Sequence, residues 1–236
     1  MKSLLVEIVT EELPPKALKA LGEAFASAMA DALRHAGVLG NGSAVTGYAT
    51  PRRLAVVITH VLASSPDTEA NDKLMPVKVA LADGKPTDAL RKKLAALGHA
   101  QLADATPLMS ESAADALYVA SDGRADYVYL RRRVEGETLA HAVQCALDTT
   151  LSRLPIPKLM RYAAPGHYYN DVEFVRPAHR LVALHGAEVV PVRALGLDAG
   201  NVSAGHRVLA RADLRIADAD AYAPTLEAEG KVLPSF

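Results

Sequence analysis

The chain reads as an α+β protein, with mixed or antiparallel sheets packed against a few amphipathic helices and room for two subdomains. Three observations carry that reading. One long tract has apolar residues at helical spacing, several short Val/Leu/Ile runs have the length and composition of strands, and the two kinds do not alternate in a regular βαβ rhythm. Composition agrees: the 236 residues are alanine-rich, with Trp 0, Phe 3 and 22% charged residues. An aliphatic, small-residue core suits helices on Val/Leu strands better than an aromatic β-sandwich, and a chain of this length and hydrophobicity folds rather than staying disordered.

The elements follow in order. Leu4 to Val9 is a Leu/Val/Ile run broken only by Glu7, and reads as a strand. Thr10-Glu11-Glu12-Leu13-Pro14-Pro15 closes it. Proline marks a helix start because its missing N–H would be unpaired in the first turn anyway. Apolar residues then recur at Ala17, Leu18, Leu21, Ala24, Phe25, Ala28, Met29, Ala32 and Leu33 and stop before Gly37, which predicts an amphipathic helix. Leu54 to Leu62 is β-rich, and Ser64 to Pro86 reads as a loop with a turn at Asp83-Gly84-Lys85-Pro86. Thr87 caps a helix to about Leu97, ended by Gly98. Tyr127 to Val134 alternates as a strand whose solvent face carries some of Arg131, Arg132 and Arg133. Glu137 to Leu151 reads as a second long helix.

Leu154-Pro155-Ile156-Pro157 excludes regular structure, because its prolines fix φ and remove donors. It predicts a boundary between an N-terminal α+β subdomain, residues 1–153, and a basic, β-rich subdomain with a C-terminal helix, residues 154–236. Arg180 to Leu184 and Val189 to Leu195 flank His185-Gly186-Ala187-Glu188 as a hairpin. Asp218 to Glu229 reads as helix if Pro224 sits near the first turn.

Several chemistries fail at the level of motif. The sequence has no phosphate-binding G-x-x-x-x-G-K-[ST], no G-x-G-x-x-G, no H-E-x-x-H and no G-x-S-x-G. Cys145, the one cysteine, allows no disulfide within the chain, fits a cytoplasmic protein, and reads as a small buried hydrophobe in its helix. The opening Met1-Lys2-Ser3-Leu4-Leu5-Val6-Glu7 is not a signal sequence, and no apolar run approaches membrane-spanning length, so no membrane partner is expected. His179 and His185 share a strand face but have no third ligand spaced to help them hold a metal. Glu11 and Glu12 either complement the following helix dipole or grip a basic group.

A net charge of -1 excludes a globally cationic nucleic-acid binder, and no DNA partner is expected. The charge is unevenly spread: residues 151–211 hold 8 basic and 4 acidic side chains, between acidic flanks. Lys158, Arg161, Arg176, Arg180 and Arg207 lie in that segment, interleaved with Tyr162, Tyr168, Tyr169 and His206. Guanidinium groups bind phosphates through paired donors and tyrosines offer stacking faces, which suits RNA. A solvated face or a protein–protein interface accounts for the same pattern.

Longer strings are more specific. Leu5-Val6-Glu7-Ile8-x-Thr10-Glu11-Glu12-Leu13-Pro14-Pro15-Lys16-Ala17-Leu18, then Ala49-Thr50-Pro51-Arg52-Arg53-Leu54-Ala55, Asp83-Gly84-Lys85-Pro86-Thr87 and Leu154-Pro155-Ile156-Pro157-Lys158-Leu159-Met160-Arg161 occur in order. Phe174-Val175-Arg176-Pro177-x-His179, Gly205-His206-Arg207 and Gly230-Lys231-Val232 complete the series. In that order and spacing the chain resembles the N-terminal part of the β subunit of bacterial glycyl-tRNA synthetase, the heterotetrameric type, from Leu4 to about Phe236. The resemblance implies the front of a longer chain that continues into an HD-type domain and an anticodon-binding domain. It also implies an α2β2 ligase whose α subunit uses ATP and Mg to activate glycine and transfers it to tRNA-Gly. The β subunit is then required for aminoacylation and handles tRNA, with no cofactor and no catalytic residue expected in this chain.

Candidate contacts to tRNA or to the α subunit are Arg52, Arg53, Lys158, Arg161, Arg176, His179, His206 and Arg207. The alternative is a scaffold that contacts only the α subunit and no RNA. A third reading, ester hydrolysis, would need His179 and Glu173 to act together. The chain departs from the family pattern at Val9 for a usual Gly, Tyr162 and Arg180 for Trp, and Ala80 and Val208 for Phe. Those departures put in doubt any contact that needs the missing rings.

Overall fold

The computed structural model describes residues 1–105, 115–121, 123, 125–164 and 172–234. In chain order the elements are β1 (Lys2–Thr10), α1 (Pro15–His35), β2 (Val45–Thr50), β3 (Arg53–Val61), β4 (Thr68–Pro76), α2 (Val77–Ala80), β5 (Leu81–Ala82), β6 (Lys85–Pro86) and α3 (Asp88–Ala96). They continue with β7 (Ala116–Ser121), β8 (Asp126–Val134), α4 (Leu139–Arg153), β9 (Met160–Tyr162), β10 (Val172–Phe174) and β11 (Ala178–His185). The last are β12 (Glu188–Val189), β13 (Arg193–Ala194), β14 (Leu197–Gly200), β15 (Val202–Ser203), β16 (Leu214–Arg215) and α5 (Tyr222–Ala228). The α+β expectation holds.

The chain forms two compact units, one of Met1–Ser65 with Glu137–Phe236, the other of Pro66–Gly136. The 153/154 boundary is therefore corrected: it falls inside the first unit, where β1 pairs antiparallel with β11 from Leu4↔His185 to Thr10↔Ala178. The proline tract is a rigid crossover. The second unit is an insertion whose flanking segments lie side by side, with the Ser65 N–H donating to the Glu137 carbonyl at 2.9 Å and the Leu139 N–H to that of Ala63 at 2.9 Å.

The first unit is built on a mixed sheet ordered β13-β14-β11-β1-β3-β2, with β12 also on β11. Among the described residues only β11 and β14 run parallel. β1 is central and buried on both faces, so its residues read as a continuous apolar run. On one face Leu4, Val6 and Ile8 join Phe25, Met29 and Leu33 of α1 and Val143 and Leu147 of α4 in one core. Helix α1 starts at Pro15 and is followed by Gly37 at φ 72°, both as its sequence predicts. It lies close on β2: a Cβ on Gly22 would stand 2.6 Å from that of Ala49, and one on Gly47 2.8 Å from that of Ala26. On the other face Leu5, Val182 and Leu184 pack against Leu214, Tyr222 and Leu226. Pro224 sits in the first turn of α5, the one place its sequence allowed.

Helix α4 begins two residues later than Glu137 predicts, because Thr138 is its cap and accepts from the His141 N–H at 3.4 Å. Cys145 is a second correction. It is exposed, with Sγ 3.7 Å from His141 Nε2, because the buried face of α4 runs through Ala142, Val143, Ala146 and Leu147 instead.

The insertion contains a three-stranded antiparallel sheet, β4-β8-β7. One face carries Leu117, Val128 and Leu130 into a small core with Ala80, Leu90 and Leu94 from α2 and α3. Thr87 caps α3 by accepting from the Leu90 N–H, as predicted. The tract expected to be loop from Ser64 onward holds β4, which its composition hides: Ala70, Asp72 and Leu74 are the inward residues of a polar edge strand. Pairing along β8 supplies what propensity lacks.

Candidate functional site

The loop after β1 is the hub of the first unit. Its Thr10 and Leu13 N–H groups donate to the carbonyls of Arg52 (2.9 Å) and Pro51 (2.6 Å), and that of Glu11 donates to Pro177 (2.9 Å). Three of the motif strings are thus knitted backbone to backbone. The two glycine strings meet the same way. The His206 N–H donates to the Gly230 carbonyl at 2.7 Å. A Cβ on Gly205 would lie 2.6 Å from the Cβ of Ala210 and 3.0 Å from Gly230 Cα, so only glycine permits the approach.

These loops enclose a cleft of about 920 Å³. Its cationic lining is Arg52, Arg53, His179, Arg180, Arg207, Arg211 and Lys231, joined by His206, Glu12, Thr50 and the apolar Val9, Val232 and Leu233. Arg207 and Arg211 form no hydrogen bond or ion pair among the described residues, and both are exposed. Lys231 adopts a left-handed φ of 54° and donates from Nζ to the Ala228 carbonyl at 2.7 Å, capping the negative end of α5.

Two carboxylates organise the arginines. Glu7 is fully buried beneath the cleft, and its Oε1 accepts from Arg53 Nη1 at 2.9 Å and from the Tyr222 hydroxyl at 2.7 Å. Arg53, 2% exposed, then donates from Nη2 to the Ala204 carbonyl at 2.6 Å, fixing the residue before Gly205. Glu7 Oε2 and Arg53 Nε have no hydrogen-bond partner among the described residues. Burial and the Glu7 charge push the Tyr222 hydroxyl well above its usual range, so it stays a donor.

Glu11 works at the rim. It accepts from His179 Nε2 at 2.9 Å, and its other oxygen lies 3.3 Å from Arg52 Nη2. The His179 hydrogen bond, with the nearby charges of Arg52 and Arg207, holds its carboxyl below 4.5. Of the two roles open to the Glu11-Glu12 pair, Glu11 takes the gripping one. His206 accepts at Nδ1 from the N–H groups of Val208 and Leu209, both at 3.2 Å, which places the proton of the neutral ring on Nε2.

The cleft therefore brings together Arg52, His179, His206 and Arg207, with Arg53 as its buried support. Lys158, Arg161 and Arg176 are not part of its lining. Lys158 is exposed on the proline crossover, Arg161 pairs with Glu173, and Arg176 donates to the Glu12 carbonyl at 3.0 Å. Glu173 and His179 each have another partner, Arg161 and Glu11, so the hydrolytic pairing is not assembled. His185 donates to the Val61 carbonyl at 3.0 Å, at the far end of β11 from His179. Tyr168 and Tyr169 lie outside the described residues.

Arg211 and Lys231 were not singled out by spacing. Lys231 stands inside a motif string, whereas Arg211 has no local signal. Where the chain departs from the family pattern, Arg180 ties Ser203 and Asp213, donating to the Ser203 carbonyl (2.8 Å) and the Asp213 carboxylate (2.6 Å). The Tyr162 hydroxyl accepts from the Ala178 N–H at 3.1 Å, Val9 is buried where the register of β1 on β11 shifts, and Val208 is 81% exposed. Chemically the cleft offers convergent cations and backbone-fixed loops, the requirements of an anion site.

Comparison with known proteins fits that chemistry. The family model described as glycyl-tRNA synthetase beta subunit matches residues 4–236. Glycine–tRNA ligase beta subunits of Ralstonia nicotianae and Polaromonas naphthalenivorans are 47% and 49% identical over 100% of this chain, and that of Leptothrix cholodnii is 50% identical over 99%. The chain spans about one third of the length of these relatives, 33%, 33% and 32%. With the family model covering nearly every residue, the chain belongs to the glycyl-tRNA synthetase β-subunit family.

Proposed function

We propose that this N-terminal part of the β subunit holds tRNA-Gly by its backbone phosphates in the cleft, in support of glycylation by a catalytic α subunit. The observation that supports the reading is the convergence of Arg52, His179, Arg207, Arg211 and Lys231 on one cleft. Phosphate contacts dominate nucleic-acid affinity and set register, and Arg and Lys are the residues that make them. ATP and Mg belong to the α subunit in this reading, and the working assembly is an α2β2 cytoplasmic ligase.

A second reading, docking to the α subunit without RNA contact, is favoured by one feature. Val208, Leu209 and Leu233 are 81%, 67% and 76% exposed at or beside the cleft, and exposed apolar groups mark protein contacts. The double reversal Arg207→Glu with Arg211→Glu separates the two. Loss of tRNA binding with the α subunit still co-purifying supports the cleft reading. Unchanged tRNA binding with loss of the α subunit overturns it in favour of docking.

A further inference from the structure

The loop that carries the unpaired arginines of the cleft also carries an apolar tip. Between Arg207 and Arg211, Val208 and Leu209 are 81% and 67% exposed, and Val208 is the most exposed large apolar side chain among the described residues. Neither belongs to a core cluster. The tip is nevertheless a closed turn. Its Val208 and Leu209 N–H groups both donate to His206 Nδ1 at 3.2 Å, and the Ala210 N–H donates to the His206 carbonyl at 3.1 Å. The turn is pinned on both sides. Before it, Arg53 Nη2 donates to the Ala204 carbonyl and the His206 N–H to that of Gly230. After it, the Asp213 carboxylate accepts from Arg180 Nη2 at 2.6 Å. Two apolar side chains are thus held out to water on a fixed backbone.

Exposed apolar groups mark a contact, and their surroundings say of which kind. The centre of a protein interface is apolar and depleted of charge. Here the apolar pair stands between two exposed guanidiniums, and Arg207 and Arg211 make no hydrogen bond or ion pair among the described residues. Glu11 feels the Arg207 charge without pairing to it. The end of a nucleic-acid duplex has the complementary pattern: an uncovered, apolar base-pair face edged by the phosphates of both strands. An internal base step must be unstacked before an apolar wedge can enter it, whereas a terminal pair already shows its face. We propose that the Val208-Leu209 tip covers the terminal base pair of an RNA duplex while Arg207 and Arg211 take the adjoining phosphates. The proposal rests on phosphate binding in the cleft and says which part of the RNA lies there, a free helix end. The fixed turn lowers the ordering cost of that contact.

The test compares two RNAs built on the same stem, a hairpin with one open blunt end and a dumbbell closed by the same loop at both ends. Their phosphates are alike, and only the hairpin has a free terminal pair. Fluorescence anisotropy of the end-labelled or loop-labelled RNA, titrated with the full chain, is the readout. The hairpin binds about tenfold more tightly than the dumbbell, the gain from covering one leucine-sized apolar group. Val208→Ser with Leu209→Ser removes that preference and leaves the salt slope unchanged, since no phosphate contact is lost. Arg207→Ala with Arg211→Ala instead lowers the slope by about 1.8 on both RNAs. Equal affinity for hairpin and dumbbell, or a preference that survives the serine variant, overturns the proposal; if the arginine variant still flattens the slope, the cleft reading stands without it. Loss of the α subunit from the serine variant, at unchanged RNA affinity, overturns the proposal in favour of docking. An unchanged slope in the arginine variant overturns the cleft reading and this proposal with it.

Discussion

Glu7 with Arg53 and Glu11 with Arg52 are two ion pairs made from neighbouring stretches of chain, one beneath the cleft and one at its rim. In the lower pair both side chains are nearly inaccessible, 0% and 3% exposed, and their groups also serve Tyr222 and the Ala204 carbonyl. In the upper pair the side chains are 46% and 33% exposed, and Glu11 is shared with His179. Similar chemistry therefore has opposite consequences. A buried charge has no water to fall back on, so its partner is obligatory; an exposed charge exchanges partners at little cost. The floor is scaffold, and the rim carboxylate is the exchangeable one, as the proposed phosphate binding requires.

The sharpest way to break that contrast is Glu7→Gln, which strands the Arg53 guanidinium in the interior. About 3–5 kcal/mol of stability is lost, read as a lower midpoint in urea unfolding, while Glu11→Gln leaves the midpoint nearly unchanged. Next in size is Tyr222→Phe. It removes one donor from a buried carboxylate and costs about 1.5–3 kcal/mol in the same measurement.

The smallest stability effect is Glu11→Gln, no more than about 1 kcal/mol. Its sign with pH is fixed. The folded carboxyl titrates below its ordinary 4.5, so its contribution is fully present above about 4.5 and is lost as pH falls through the folded value. Wild-type and variant stabilities differ at neutral pH and converge in acid. At neutral pH the same variant binds tRNA more tightly at low salt, because Arg52 and His179 no longer share an internal anion. Weaker binding would mean that Glu11 is needed to hold them in place.

Local signals carried much of this architecture. Helix α1 was legible because its period, its prolines and Gly37 agree, and α3 because Thr87 and Gly98 bracket it. Strand β4 was not, because it is held by β8, a partner distant in sequence, rather than by its own composition. The unit boundary failed for the same reason: prolines announce a rigid turn locally, whereas the insertion is defined by Ser65 meeting Glu137. In the cleft, Arg52, His179, His206 and Arg207 were found through motif strings, but spacing could not separate buried Arg53 from exposed Arg52, one residue away. That difference comes from strand parity and from Glu7, 46 positions upstream.

The central claim is that the rim cations meet RNA phosphates. It is tested most directly by the slope of log affinity against log salt for tRNA-Gly, in the chain and in Arg207→Ala with Arg211→Ala. Each phosphate contact contributes about 0.9 to that slope on duplex nucleic acid. The account predicts a slope shallower by about 1.8 in the variant, with unfolding unchanged because neither residue is tied into the fold. A variant slope equal to that of the parent chain would contradict it.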